Sequence, residues 1–439
     1  MTTIDEDLHR ALHPARQRAL LALAVAATVP GLVLRITDAS VPHLVAAALY
    51  GLAIVGAAFV LSWAAEVAQL DISAGLAIAV LAFIAVLPEY AVDMVFAWKG
   101  GAAFEAHGVS CSAPGATTEP PCSLALANMT GANRLLIGVG WSLVVLLAWY
   151  QWRRRRRPER GAGVQLEATH AVEVAYLAVA SLYSITLPLR RSITLWDAAV
   201  LVGIFLAYTV RISRAPAEEP HLVGPARWIG TFSTPRRRGA VVGMFVFAAA
   251  VILAVAERFA DALVATGQQL GVSEFLLVQW LAPLASEAPE LLVAGLYAWR
   301  LNTNAGLGTL VSSKVNQWTL LVGTLPVVFA ISSGSLHGLP IIARQREEVF
   351  LTAAQSVFAV AVLANLSLSV REALGLFTLF WAQFIFGAVV PESAHGTELV
   401  VVGAAYLVLA VVVIARDRRR IPALVRDGFR ASYAELGAR

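Results

Sequence analysis

Apolar runs about twenty residues long recur along the chain, near 18–36, 43–65, 73–98, 123–150, 171–188, 193–212, 239–266, 272–298, 306–331, 349–366, 372–391 and 397–415. Each matches the roughly 20 residues that an α-helix needs to cross the hydrocarbon core of a bilayer. The pattern predicts an all-α fold, a polytopic membrane helical bundle of about twelve transmembrane helices. Several runs are interrupted by charge. Glu89 and Asp93 fall in the third, Asn133 and Arg134 in the fourth, Glu287 and Glu290 in the eighth, and Lys314 and Gln317 in the ninth. Ionisable groups at membrane depth are costly to keep, so these positions are the first candidates for function.

Composition agrees with this class: 58% of the 439 residues are hydrophobic and 14% charged, with a mean hydropathy of +0.71. Charge then orients the bundle. With the N-terminus on the cytoplasmic side, the Lys and Arg outside the spans divide 24 to 6 in favour of the cytoplasmic loops and tails, as the positive-inside rule requires of a multi-pass protein of the cell membrane with both ends inside. The run Arg153–Arg157 is therefore read as topogenic, and no nucleic-acid partner is expected; the partner is the lipid bilayer. No cleavable signal peptide is expected, because the first apolar run follows a mixed-charge segment and leads directly into further spans.

Both cysteines, Cys111 and Cys122, lie in one loop that the charge count places outside the cell. An oxidising compartment favours a disulfide between them, two free thiols being the alternative. Nucleotide-binding and zinc-protease motifs are absent from the sequence, so ATP-driven pumping and metal-dependent proteolysis lack their residues, and the expectation is a secondary transporter rather than an enzyme, with no cofactor.

Two stretches read alike. QLDISAGLAIAVLAFIAVLPEYAVD starts at Gln69, and QLGVSEFLLVQWLAPLASEAPELLVAG starts at Gln269. Each carries Gln-Leu-x-Ile/Val-Ser, an apolar run and then Pro-Glu, at Pro88-Glu89 and Pro289-Glu290. Each is followed by a second matching helix, LALANMTGANRLLIGVG from 124 and AGLGTLVSSKVNQWTLLVG from 305. In the predicted topology the two Pro-Glu helices run in opposite directions, so the repeats are inverted, an arrangement that brings equivalent residues together near the bilayer midplane. Pro88 and Pro289 are expected to break or kink their helices and to free carbonyls near Ile84 and Ala285. Carboxylates and freed carbonyls are the oxygen ligands with which a hard cation replaces its water.

These motifs resemble those of the cation/calcium exchanger superfamily, the sodium/calcium exchanger group in particular, whose two α-repeats each carry a Thr-Ser-Leu-Pro-Glu-like and a Gly-Ser-Asn-like segment. The resemblance implies a ten-helix exchanger core with one further helix at each end. The chain then divides into a cytoplasmic N-terminus and first helix (1–42), a first repeat (43–212, motif about 73–145), a basic linker (213–238), a second repeat (239–391, motif about 270–330) and a last helix with a basic tail (392–439). Carried over by position, Glu89 and Glu290 are the primary metal ligands, and Glu287, Asn133, Ser286, Ser313 and Gln317 contribute further ones.

The departures from the family pattern are informative. Ala85-Val86 and Ser286-Glu287 stand where the family has Thr-Ser, and Gly131-Ala132-Asn133 and Ser312-Ser313-Lys314 where it has Gly-Ser-Asn. The next family position aligns with Leu136 and Gln317. The first repeat has lost side-chain oxygens, and the second has gained an acid and a base. Lys314 is accordingly expected to modulate charge, as a fixed substitute for one bound cation, as a proton-coupling group, or as the ion-pair partner of Glu287. Asp93, one turn from Glu89 on the same face, is either an outer ion ligand or a solvated interface residue. The function implied is antiport of Ca²⁺ or a related cation against Na⁺ or H⁺; a monovalent cation/proton antiporter and a non-transporting sensor on the same fold are the alternatives.

Overall fold

The computed structural model describes residues 14–71, 87–115, 119–155, 163–215, 222–271, 274–391 and 394–438. The chain forms two compact units, residues 1–95 with 215–289 and residues 96–214 with 290–439. The stretch 72–86, with Ile84, Ala85 and Val86, lies outside the described residues.

The first unit is built on α1 (Pro14–Thr37), α2 (His43–Ala68) and α8 (Thr234–Leu270), with α2 packed against both others. Small residues let α1 and α2 approach closely: a Cβ on Gly56 would stand 2.4 Å from the Ala24 carbonyl oxygen, and one on Gly31 2.7 Å from the Ala53 Cβ. Packing of this kind substitutes for the hydrophobic effect between helices in lipid. A short helix α7 (Pro225–Gly230) leads into α8, and the Glu66 carboxylate accepts the Val223 backbone N–H at 2.6 Å just before it. α8 starts at Thr234, inside the segment expected to be linker. Pro235 suits a first helical turn, and Arg237 makes two 2.7 Å hydrogen bonds to Asp71, so the basic residues extend the helix to the rim. Hydrogen bonding from Arg237 holds the Asp71 carboxyl below its ordinary range.

The second unit contains α4 (Pro121–Arg154), α5 (Ala171–Ser184), α6 (Leu195–Ile212), α10 (Thr303–Ser333), α11 (Ala343–Leu363), α12 (Val370–Val389) and α13 (His395–Asp417). Capping boxes start two of them, Thr194 with Asp197 on α6 and Ser369 with Glu372 on α12. Helices α3 (Leu87–His107) and α9 (Glu274–Trp299) cross from one unit into the other along their own length. Among the described residues eight helices are long and apolar enough to cross a membrane: α1, α2, α4, α5 with its flanking turns, α6, α8, α10 and α13. The other four predicted runs coincide with α3, α9, α11 and α12, the first of them described only from Leu87. Polar residues dilute the apolar character of these helices, notably Glu89 and Asp93 on α3 and Glu287 and Glu290 on α9.

Sequence periodicity did not foreshadow three features. Helices α4 and α10 each contain a π-helical turn, at Leu136–Trp141 and Gln317–Leu321. Two short antiparallel ribbons tie the halves of this unit together: β1 (Gly163–Gln165) pairs with β4 (Ser367–Ser369), and β2 (Ser192–Ile193) with β3 (Leu339–Pro340). The expected basic tail folds as α14 (Ile421–Phe429) and α15 (Tyr433–Gly437). Arg211 holds it, donating to the Gly428 carbonyl at 3.2 Å and to the Ala431 carbonyl, with its guanidinium 5.1 Å from the Tyr433 ring centroid. Cys111 and Cys122 are disulfide-bonded with Cα atoms 6.0 Å apart.

Arg134, 2% exposed, pairs with Glu348 at 3.1 Å and donates to the Gln383 side-chain oxygen at 3.4 Å; Gln383 in turn donates to Glu398. This network joins α4, α11, α12 and α13. Breaking one partner of a buried pair leaves an uncompensated charge, so Glu348→Ala is expected to destabilise the protein by about 3–5 kcal/mol. The double change Arg134→Met with Glu348→Leu should recover most of that loss. Thermal unfolding in detergent measures both.

Candidate cation site

Helix α3 carries Glu89 and α9 carries Glu287, and in the first unit these two carboxylates meet, with an oxygen of each within 4.8 Å of the other. Both are buried, at 1% and 0% exposure. Glu290 follows Glu287 by three residues on α9, which puts it on the same helix face, again with oxygens within 4.8 Å. Pro88 lies in the first described turn of α3, and α9 runs without a break through position 289, where a helix break was expected. Ser286 donates to the Ala282 and Pro283 carbonyls of its own helix, at 3.2 and 3.4 Å, rather than toward a cation.

In the second unit, α10 and α4 present the remaining candidates. The Ser313 hydroxyl donates to Glu290 Oε2 at 3.2 Å. The next residue, Lys314, is fully buried and donates from Nζ to Asn133 twice, to Oδ1 at 2.6 Å and to the backbone carbonyl at 3.1 Å. Its ammonium also lies 4.6 Å from the centroid of the Trp318 ring, a cation–π contact that adds to the charge compensation. The Asn133 amide nitrogen donates to the Met129 carbonyl at 2.8 Å, which turns its oxygen toward Lys314. Asn133 and Lys314 are the positions matched between the two similar stretches of the sequence, and they touch. Gln317 is fully buried and opens the π turn of α10, just as Leu136, its equivalent, opens that of α4. A π turn rotates the residues after it relative to those before it, and such turns are frequent at functional sites.

Asp93 is fully buried, so it is not the solvated interface residue that one reading of the sequence allowed. His170 escaped the sequence reasoning, and its contact with Glu173 had only a weak signal: a His and a Glu three apart at the start of an apolar run. Gln279, fully buried on α9, sits two turns before Glu287 and was legible only as a polar residue at helical spacing.

A family model described as sodium/calcium exchanger protein matches residues 42–213 and 240–389. The chain belongs to the sodium/calcium exchanger family. The exchanger is similar over 97% of its length to the crystal structure of an H⁺/Ca²⁺ exchanger, CAX, at 38% identity and a TM-score of 0.85, with 99% of that chain covered. It also shares a fold with native YfkE, at 13% identity and a TM-score of 0.56, with 89% of this chain and 99% of that one covered. No curated protein sequence matches it. Family members and structural neighbours are secondary transporters, and their cations are substrates rather than cofactors.

A ligand that binds only the folded exchanger stabilises it by mass action, about 2.7 kcal/mol at 100 times the dissociation constant. Ca²⁺ is therefore expected to raise the melting temperature of the wild type. Glu89→Gln, Glu287→Gln and Glu290→Gln should each abolish the rise, whereas Ser286→Ala, whose hydroxyl faces its own backbone, should keep it.

Proposed function

We propose that this exchanger moves Ca²⁺ across the cell membrane in exchange for protons, around a midplane site formed by Glu89, Glu287 and Glu290. The observation that carries the reading is the buried Lys314, whose ammonium takes both oxygens of Asn133. Asn133 stands on the Gly-Ser-Asn-like segment of the first repeat, where a coordinated Na⁺ needs neutral oxygens; the lysine already occupies them. Three carboxylates against one fixed ammonium leave two negative charges. One Ca²⁺ cancels them, and so do two protons, which makes the exchange electroneutral at two protons per calcium. The 38% identical neighbour is an H⁺/Ca²⁺ exchanger, which supports the same pairing.

The inverted-repeat architecture is part of this reading. It is supported by π turns that begin at equivalent residues, by the contact between equivalent Asn133 and Lys314, and by the crossed pairing of the two ribbons, first with fourth and second with third. The bounds of the family match fit a ten-helix core with α1 and α13 added at its ends. The division of basic residues fits cytoplasmic termini. Access then alternates as the flanking helices slide past the core.

Reconstituted protein tests the assignment. A pH gradient should drive Ca²⁺ flux and a Na⁺ gradient should not, with flux insensitive to an imposed membrane potential. Na⁺-driven flux in the wild type, or Na⁺/H⁺ exchange without Ca²⁺, sinks it. Glu290→Gln should lower flux by about 100-fold or more, as expected when roughly 3 kcal/mol of buried charge compensation is lost. Lys314→Asn should weaken proton-driven flux and open a Na⁺-driven one, because it returns the Asn133 oxygens to the site.

A further inference from the structure

Away from the carboxylate cluster, one face of α10 is held by the segment that leads into α5. The Glu167 backbone N–H donates to Asn304 Oδ1 at 2.9 Å. The His170 ring lies against Gly308, where a Cβ would stand 2.3 Å from its Cε1. The Ser312 hydroxyl reaches Glu173 Oε1 at 3.5 Å. Residues 304, 308 and 312 are spaced one turn apart and share a face, as do 170 and 173 at the start of α5. The same Glu173 oxygen is 3.5 Å from His170 Nδ1, so one carboxylate bridges the imidazole and the site helix. Ser312 immediately precedes Ser313, which holds Glu290, and Lys314, which holds Asn133. Any displacement of α10 at Ser312 is passed to both.

We propose that His170 and Glu173 form a proton-binding site separate from the cation site, which latches α5 to α10 and through Ser312 makes the rate of exchange depend on pH at the inner side. The inference rests on the topology proposed above, which puts this end of α5 at the cytoplasmic face. A protonated imidazole ordinarily gains or loses its charge between about pH 5 and 8. With the proton on, imidazolium and carboxylate pair, and α5 is held on α10. With it off, only the hydrogen bonds remain, and the helices slide.

Among the described residues the surrounding groups are few. Tyr208 of α6 and Tyr433 of α15 face Glu173, phenols that ordinarily titrate near pH 10, and Arg211 is committed to the tail and the Tyr433 ring. On α14, Asp427 pairs with Arg426 at 2.9 Å. On α11, which also packs on α5, Glu348 pairs with Arg134 and Arg344 with Glu119. His170 and Glu173 are thus the pair set to respond.

The test is Ca²⁺ flux by full-length protein in vesicles, with inner pH stepped at fixed outer pH and Vmax separated from KM. Acidification should raise KM through the site carboxylates in every variant. Wild-type Vmax should also fall, by up to about tenfold per pH unit, the steepest response a single bound proton gives. In His170→Gln and in Glu173→Gln that fall should shrink to less than about twofold. Gly308→Ala, which displaces the ring without changing any charge, should do the same. A wild-type Vmax profile in His170→Gln overturns the latch, and so does a Vmax that is flat in the wild type. Amide hydrogen exchange over 303–316 gives a readout that needs no transport: protection should increase at acid pH in the wild type and not in His170→Gln. If no gradient drives Ca²⁺, the functional reading fails while this measurement still decides the latch; equal protection at both pH values rejects it.

Discussion

Like charges gathered in a medium that solvates them poorly are the constraint on which the rest of this structure depends. At an effective dielectric of about 20, two carboxylates 4.8 Å apart repel by about 3–4 kcal/mol. The proposed reading sets the buried ammonium of Lys314 against the three carboxylates, which leaves charge to be met from outside. A site that satisfied itself completely would hold its helices together and bind nothing. In that reading the remaining charge makes the cluster a cation site rather than a structural network of the kind that Arg134 forms with Glu348 and Gln383.

Convergence of these groups requires backbones that come close and side chains that turn inward. Glycines meet the first requirement where helices cross: a Cβ at Gly138, inside the π turn of α4, would stand 2.4 Å from the Phe380 ring. The π turns meet the second. Placed directly after Asn133-Arg134-Leu135 and after Lys314-Val315-Asn316, they let the start of each helix face the site while its far half keeps an apolar face for its neighbours. The two ribbons and the folded tail satisfy backbone groups at the ends of the bundle, where open edges would otherwise meet the membrane interface.

Much of this was legible in the sequence, because the cost of a charge in lipid makes each one conspicuous. The twelve apolar runs, the paired Pro-Glu motifs and the importance of Lys314 all follow from that one rule. The contact of Lys314 with Asn133 did not follow from charge, because Asn133 is a neutral residue whose value depends on a tertiary approach of α4 to α10. Ser286 shows the converse: an oxygen-bearing side chain in the right motif that turns back onto its own helix. The π turns were hidden because hydrophobic periodicity over six residues cannot separate 3.6 from a wider turn, and the tail helices because their folding depends on Arg211, more than two hundred residues away.

The proposed twofold relation gains its meaning from where it fails. In each half, the helix that follows the repeat carries an acid near its start, Glu173 on α5 and Glu348 on α11, and each acid reaches a residue beside the site on the other half's helix. Glu173 meets Ser312, next to Ser313; Glu348 meets Arg134, next to Asn133. In the proposed inverted topology the two contacts lie toward opposite faces of the membrane. One is a permanent ion pair, since arginine keeps its proton at any physiological pH. The other joins a hydroxyl, a carboxylate and an imidazole, whose bond strength changes with a single proton. In the proposed reading, a bundle clamped at one face and latched by a titratable pair at the other responds to acidity from one side only, so that pH at the inner face regulates the rate as well as supplying the counter-ion.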